Sequence, residues 1–142
     1  MCEYCDCRRI PEIAELGEEH EYITELADEV EIRASGGAPA RMAALVRLRE
    51  ALTFHAQREE RGIFAEGMVA GLKNYYIEDL EDDHRRFVEA LSDPALDGVE
   101  LQALLDDLHR HIAIEEYDVF PAAAKRLSDE QWQSIALANT LA

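Results

Sequence analysis

The chain is short of positive charge, aromatic rings and helix breakers. Only 14 Lys and Arg stand against 31 Asp and Glu in 142 residues, a formal net charge of −17 at pH 7. A surface this acidic repels phosphate backbones and anionic lipid headgroups, which argues against nucleic-acid and membrane partners. No apolar run approaches the ~20 residues of a membrane span. Met1 to Ile10 contain no apolar core of a secretory signal, so the expected location is the cytoplasm, with thiols held reduced. Aromatics make up 7% of the chain, and no stretch alternates polar with apolar residues as a strand does.

Cysteine is scarce and confined to one place. Cys2, Cys5 and Cys7 form a C-x2-C-x-C cluster in the first seven residues. Three thiols do not complete a structural zinc site. Residues 1–9 are read as a leader carrying redox thiols, with Arg8 and Arg9 favouring the thiolate or with a soft metal as ligand. A reversible Cys2–Cys5 disulfide predicts that peroxide lowers the free-thiol count by two.

Helical periodicity fills the remaining residues, 10–142, which are read as one domain. Pro11 opens a first helix that Gly36-Gly37 closes, with Ile13, Leu16, His20, Ile23, Ala27 and Val30 on one stripe. A second runs from about Pro39 into the sixties, with Leu45, Leu48, Leu52, His55, Glu59 and Ile63, and a turn is expected among Gly62, Gly67 and Gly71. Asn74 is the expected N-cap of a third, with Ile77, Leu80, His84, Phe87 and Leu91. The fourth starts near Val99 and carries Leu101, Leu104, Leu108, His111, Glu115 and Val119. Pro121 must kink or end it, because proline offers no donor to the Tyr117 carbonyl. Ser128 to Gln131 has the form of a capping box for a short fifth helix. The expected fold is all-α: an antiparallel up-down four-helix bundle with a short C-terminal fifth helix.

Each long stripe is interrupted by a histidine where a large apolar residue belongs. His55 and Glu59, and likewise His111 and Glu115, stand four apart and so stack on one helix face. A ring of His20, His55, Glu59, His84, His111 and Glu115 at one depth of a bundle needs a cation to satisfy it. Glu18-Glu19-His20 also mirrors Asp82-Asp83-His84, so the order is H, HxxxE, H, HxxxE, and a quasi-twofold site with two metal positions is expected. Mixed nitrogen and oxygen donors in a helical bundle favour iron or manganese, with zinc possible. Glu60 and Glu116, rotated about 100° from their neighbours, are read as solvated or as pairing partners. His109 is read as a surface residue.

The H…HxxxE…H…HxxxE pattern, with Glu115-Glu116 leading to Val119-Phe120-Pro121, resembles the hemerythrin-like (HHE cation-binding) family from about Ile10 to Leu137. The resemblance implies two non-haem irons bridged by Glu59, Glu115 and a solvent-derived oxygen (Fe–O–Fe). The oxygen carriers of that family use a second histidine one turn from the first on the third helix. Here those positions are Leu80 and Val88. The carriers also place an aspartate five residues after the last histidine, where this chain has Glu116. Glu81, or a tyrosine such as Tyr22 or Tyr76, is the candidate replacement ligand. An open position shifts the expected function from oxygen carriage to chemistry on O2, peroxide or nitric oxide, including catalase-like peroxide decomposition. The alternative is a non-catalytic iron or oxygen sensor, or an iron-storage module, signalling through a partner surface. No residue is assigned a catalytic role of its own, no protein partner is specified, and monomer and homodimer are both compatible with the pattern.

Overall fold

In a computed structural model, which describes residues 7–140, the chain is a helical bundle with no strand among the described residues. After a 3-10 turn at Cys7–Arg9 come α1 (Pro11–Ala34), α2 (Ala38–Arg61), α3 (Ile63–Val69), α4 (Ile77–Leu91), α5 (Gly98–Ile114), α6 (Phe120–Arg126) and α7 (Asp129–Thr140). No helix among the described residues is long and apolar enough to cross a membrane. α1 packs on α2 and α5, and α4 packs on the same two helices.

The histidines divide the core into two apolar clusters. One holds Ile23 and Val30 of α1, Leu45 to Leu52 of α2, Phe87 and Leu91 of α4, and Leu101 to Leu108 of α5. The other holds Ile13 and Leu16 of α1, Ile63 and Phe64 of α3, Ile77 and Leu80 of α4, and Val119 and Phe120 beyond α5. α1 and α4 thus run from the second cluster to the first, while α2 and α5 run the other way. His20, His55, His84 and His111 fall between the two clusters, which fixes them at one level.

Local chemistry sets most of the boundaries. Asp97 caps α5 through a hydrogen bond from the Gly98 N–H at 2.8 Å. The Ser128 capping box forms as expected, with Gln131 N–H donating to Ser128 Oγ at 3.2 Å and Ser128 N–H to Gln131 Oε1 at 3.0 Å. Asn74 is not the N-cap of α4. It lies in a 3-10 turn, Leu72–Tyr75, and Tyr76 precedes α4 at φ 70°.

Both HxxxEE helices are distorted just after their glutamates, by different means. α2 breaks at Gly62, where an added Cβ would lie 3.0 Å from the Arg58 carbonyl and 3.3 Å from Asn139 Oδ1. Past α5 the chain stays helical through Pro121, which falls in the first turn of α6. It widens into a π turn over Glu115–Val119, in which the Phe120 N–H reaches back five residues to the Glu115 carbonyl. Proline's missing N–H and bulky ring disfavour the ordinary four-residue bond at this point, and the wider turn accommodates both.

Cys7 is buried (2% exposed) against the second cluster and is disulfide-bonded, so it is not an exposed free thiol. Cys2 and Cys5 lie outside the described residues.

Leu48 is wholly buried and Ile32 is 72% exposed. Leu48→Ala is expected to cost about 2–5 kcal/mol in urea unfolding, as large-to-small core changes do. Ile32→Ala is expected to stay within about 0.5 kcal/mol.

Candidate metal centre

Between the two clusters, six side chains turn their donor atoms toward one another. His20, His55, Glu59 and Glu115 form one set, and Glu59, His84, His111 and Glu115 form another. Within each set all donor atoms lie within 4.8 Å of one another. The sets share both glutamates. Glu59 Oε2 stands 3.1 Å from His55 Nε2 and 3.5 Å from His20 Nε2, while its Oε1 stands 3.1 Å from His84 Nε2. Glu115 Oε1 lies 2.9 Å from His111 Nε2 and 3.3 Å from His20 Nε2. Two donors bound at right angles to one ion at ~2.1 Å sit about 3 Å apart, so these spacings suit a shared ion.

The donor atoms need a cation on electrostatic grounds as well. Glu59 and Glu115 are 0% exposed, and none of their four carboxylate oxygens has a hydrogen-bond donor. Burying two carboxylates so close together is costly without positive charge between them. The donor set therefore fits two metal ions, with Glu59 and Glu115 spanning them, His20 and His55 serving one, and His84 and His111 the other.

Three of the four imidazoles are positioned from behind by a carboxylate on a different helix. His55 Nδ1 bonds Glu19 at 2.7 Å, and Arg58 in turn holds Glu19. His111 Nδ1 bonds Asp83 at 3.1 Å, and Arg86 holds Asp83. His20 Nδ1 bonds Glu116 at 3.3 Å, and His84 Nδ1 faces Glu60 at 3.9 Å. Donation from Nδ1 leaves a lone pair on Nε2, the nitrogen that points inward. Ring contacts complete the positioning: Phe120 stacks on His20 and Phe64 on His84, both at 5.7 Å between centroids.

Glu19 and Asp83 were given no role from the sequence, and of Glu60 and Glu116, read there as solvated or as pairing partners, Glu116 pairs with His20. Glu116 is buried at 6% exposure, because the π turn keeps it inside alongside Glu115. Glu60 is half-buried. A signal was present: every outer carboxylate is adjacent in sequence to an inner ligand. A step of one residue rotates a side chain about 100°, enough to aim it at the neighbouring helix. Glu81 is half-buried and belongs to neither converging set. Tyr22 and Tyr76 are exposed at 54% and 52%, and His109 is on the surface as expected.

Without metal, protons take the place of cations. Burial alone would lower the His84 pKa, but the Glu59 and Glu60 carboxylates raise it to about 10. Burial opposes protonation of His111 too, yet Glu115 and Asp83 raise it to about 9. His20 is raised well above its ordinary value against the same burial penalty, by Glu115, Glu116 and Glu59. Burial pushes the Glu59 carboxyl up, and His55, Glu115 and His20 bring it well below the usual carboxylate range.

A raised histidine pKa stabilises the fold fully below the unfolded value of about 6.5, and that contribution disappears as pH rises through the folded value. Chelator-treated protein is therefore expected to melt at progressively lower temperature between pH 7 and pH 10, spanning the values of about 9 for His111 and about 10 for His84. Metal must displace the same protons, so metal affinity should rise over that interval. Circular-dichroism melts with and without metal check both.

A search of curated proteins and a search of solved structures each returned no match. The family model described as the hemerythrin HHE cation-binding domain matches residues 12–123, a span that contains all six converging donors. The chain belongs to the hemerythrin HHE cation-binding family.

Proposed function

We propose that the protein is a non-haem di-iron protein that binds or reacts with O2, peroxide or nitric oxide, built on an antiparallel up-down bundle of α1, α2, α4 and α5. The observation that carries this reading is the pair of donor sets sharing Glu59 and Glu115. Each set offers two imidazole nitrogens and two carboxylates. Four protein donors leave open positions on an octahedral ion, where a small ligand can bind. Two irons, when bound, supply Lewis acidity and exchangeable electrons.

The chain's own residues do the rest. Glu59 and Glu115 spread their negative charge over both positions. Glu19, Asp83 and Glu116 hold the imidazoles in the tautomer that presents Nε2. Phe64, Phe87 and Phe120 lie against the histidine rings, and all three are at most 1% exposed, so they exclude bulk water and favour small ligands. Leu80, one turn from His84, supplies no donor and keeps that side of the centre apolar.

Iron-loaded protein is expected to carry about two irons per chain, as a helical site with two carboxylate-bridged positions should. Replacing Glu115 by Gln is expected to lower that stoichiometry, read by metal analysis with an optical spectrum. Iron loading is further expected to accelerate peroxide loss. Equal rates of loss in the metal-free and loaded forms, with no spectral response to O2 or nitric oxide, would overturn the proposed reactivity.

A further inference from the structure

Three surface grooves reach the outer edge of a ligating histidine, and they are not alike. The groove between α1 and α2, of about 500 Å³, ends at His55. There the outer nitrogen is bonded to Glu19, which Arg58 holds, and Arg47 lines the wall. The groove between α1 and α5, of about 260 Å³, ends at His20. That nitrogen is bonded to Glu116, and Arg8 stands at the wall, paired with Glu21 at 2.8 Å. Both routes end on an imidazole whose outward nitrogen is already bonded to a carboxylate.

The third groove, of about 360 Å³, lies between α2 and α4 and ends at His84. His84 is 2% exposed, and its Nδ1 has no hydrogen-bond partner. Glu60 and Glu89 share the groove wall with it. Arg85 also lines the wall, and its guanidinium is paired with Asp82. Glu60 Oε1 stands 3.9 Å from His84 Nδ1. That is too long for a hydrogen bond. It is short enough for one ion to touch both atoms through bonds of ~2.1 Å.

We propose that the α2–α4 seam is the route by which divalent metal enters the centre, with Glu60 capturing the ion at the groove and His84 passing it inward. This rests on the two-metal reading above. An ion held between Glu60 and His84 Nδ1 stands one imidazole ring away from Glu59 Oε1, which lies 3.1 Å from His84 Nε2, and a swing of the ring about its Cα–Cβ and Cβ–Cγ bonds opens the way inward. Its stack on Phe64, with 7° between the planes, is the contact that this swing must loosen, and no hydrogen bond at Nδ1 opposes it. The other three rings cannot make that swing without breaking a hydrogen bond to a carboxylate.

The test is the rate of Co2+ uptake by metal-free full-length chain, followed by visible absorbance, with final stoichiometry read by metal analysis. Glu60→Gln removes the capturing charge, and Gln57→Lys places a cation on the same groove wall. Both are expected to load about fivefold more slowly or worse, the scale of electrostatic steering into a cleft, and to reach the wild-type stoichiometry. Glu50→Lys makes a larger charge change, two units against one, in the α1–α2 groove and is nevertheless expected to load at the wild-type rate. Wild-type rates in both E60Q and Q57K would overturn the route while leaving the two-metal reading intact. Equal slowing by E50K would overturn it too, by showing that surface charge alone sets the rate. A wild-type chain that takes up no metal would overturn both the reading and the route.

Discussion

Two carboxylates, Glu59 and Glu115, lie fully buried with all four oxygens lacking a hydrogen-bond donor, and the rest of the molecule is arranged around that cost. A helical bundle of this size could fill the same level with leucine and be more stable for it. Here the apolar core is split into two clusters instead, with a polar layer between them. Such a layer persists only if positive charge enters it. Protons on the histidines provide it in the metal-free chain, and metal held by the two donor sets would provide it more fully.

Around that layer the helices support one another's ligands rather than their own. Glu19 of α1 holds His55 of α2, and Asp83 of α4 holds His111 of α5. Glu116, beyond α5, reaches back across the bundle to His20 of α1. The orientation of these three histidines therefore depends on a helix other than their own, and those helices cannot shift relative to one another without disturbing a donor. The quasi-twofold relation fails at one point, His84, where Glu60 stands off at 3.9 Å. Three imidazoles are clamped and one is not, although the sequence around all four looks much the same.

The repeat also reaches the same end by two routes. After Glu59-Glu60 the helix is interrupted at Gly62, where close approach of the Arg58 carbonyl leaves little room for a side chain. After Glu115-Glu116 it widens into a π turn ahead of Pro121. In both cases the following phenylalanine, Phe64 or Phe120, comes to lie flat on a histidine of a neighbouring helix. Ordinary helical phase could not be assumed across either break, which is why the positions of Glu116 and of the two phenylalanine rings were not readable from spacing.

The inner donors were legible in the sequence because burial makes a polar residue conspicuous. A histidine or glutamate on a stripe of Leu and Ile violates the helical pattern, and six such violations at matching positions define a layer before any coordinates are known. The start of the last helix at Ser128 was legible for a similar reason, since capping is a local hydrogen-bonding problem. What sequence alone determined, then, was the composition of the polar layer and its depth along each helix, both consequences of a 3.6-residue period. Only the tertiary structure decided which carboxylate stands behind which histidine, which seam is left open and where Cys7 is buried. Those outcomes depend on distances between residues up to 96 positions apart in the chain, as for His20 and Glu116, and no local periodicity encodes them.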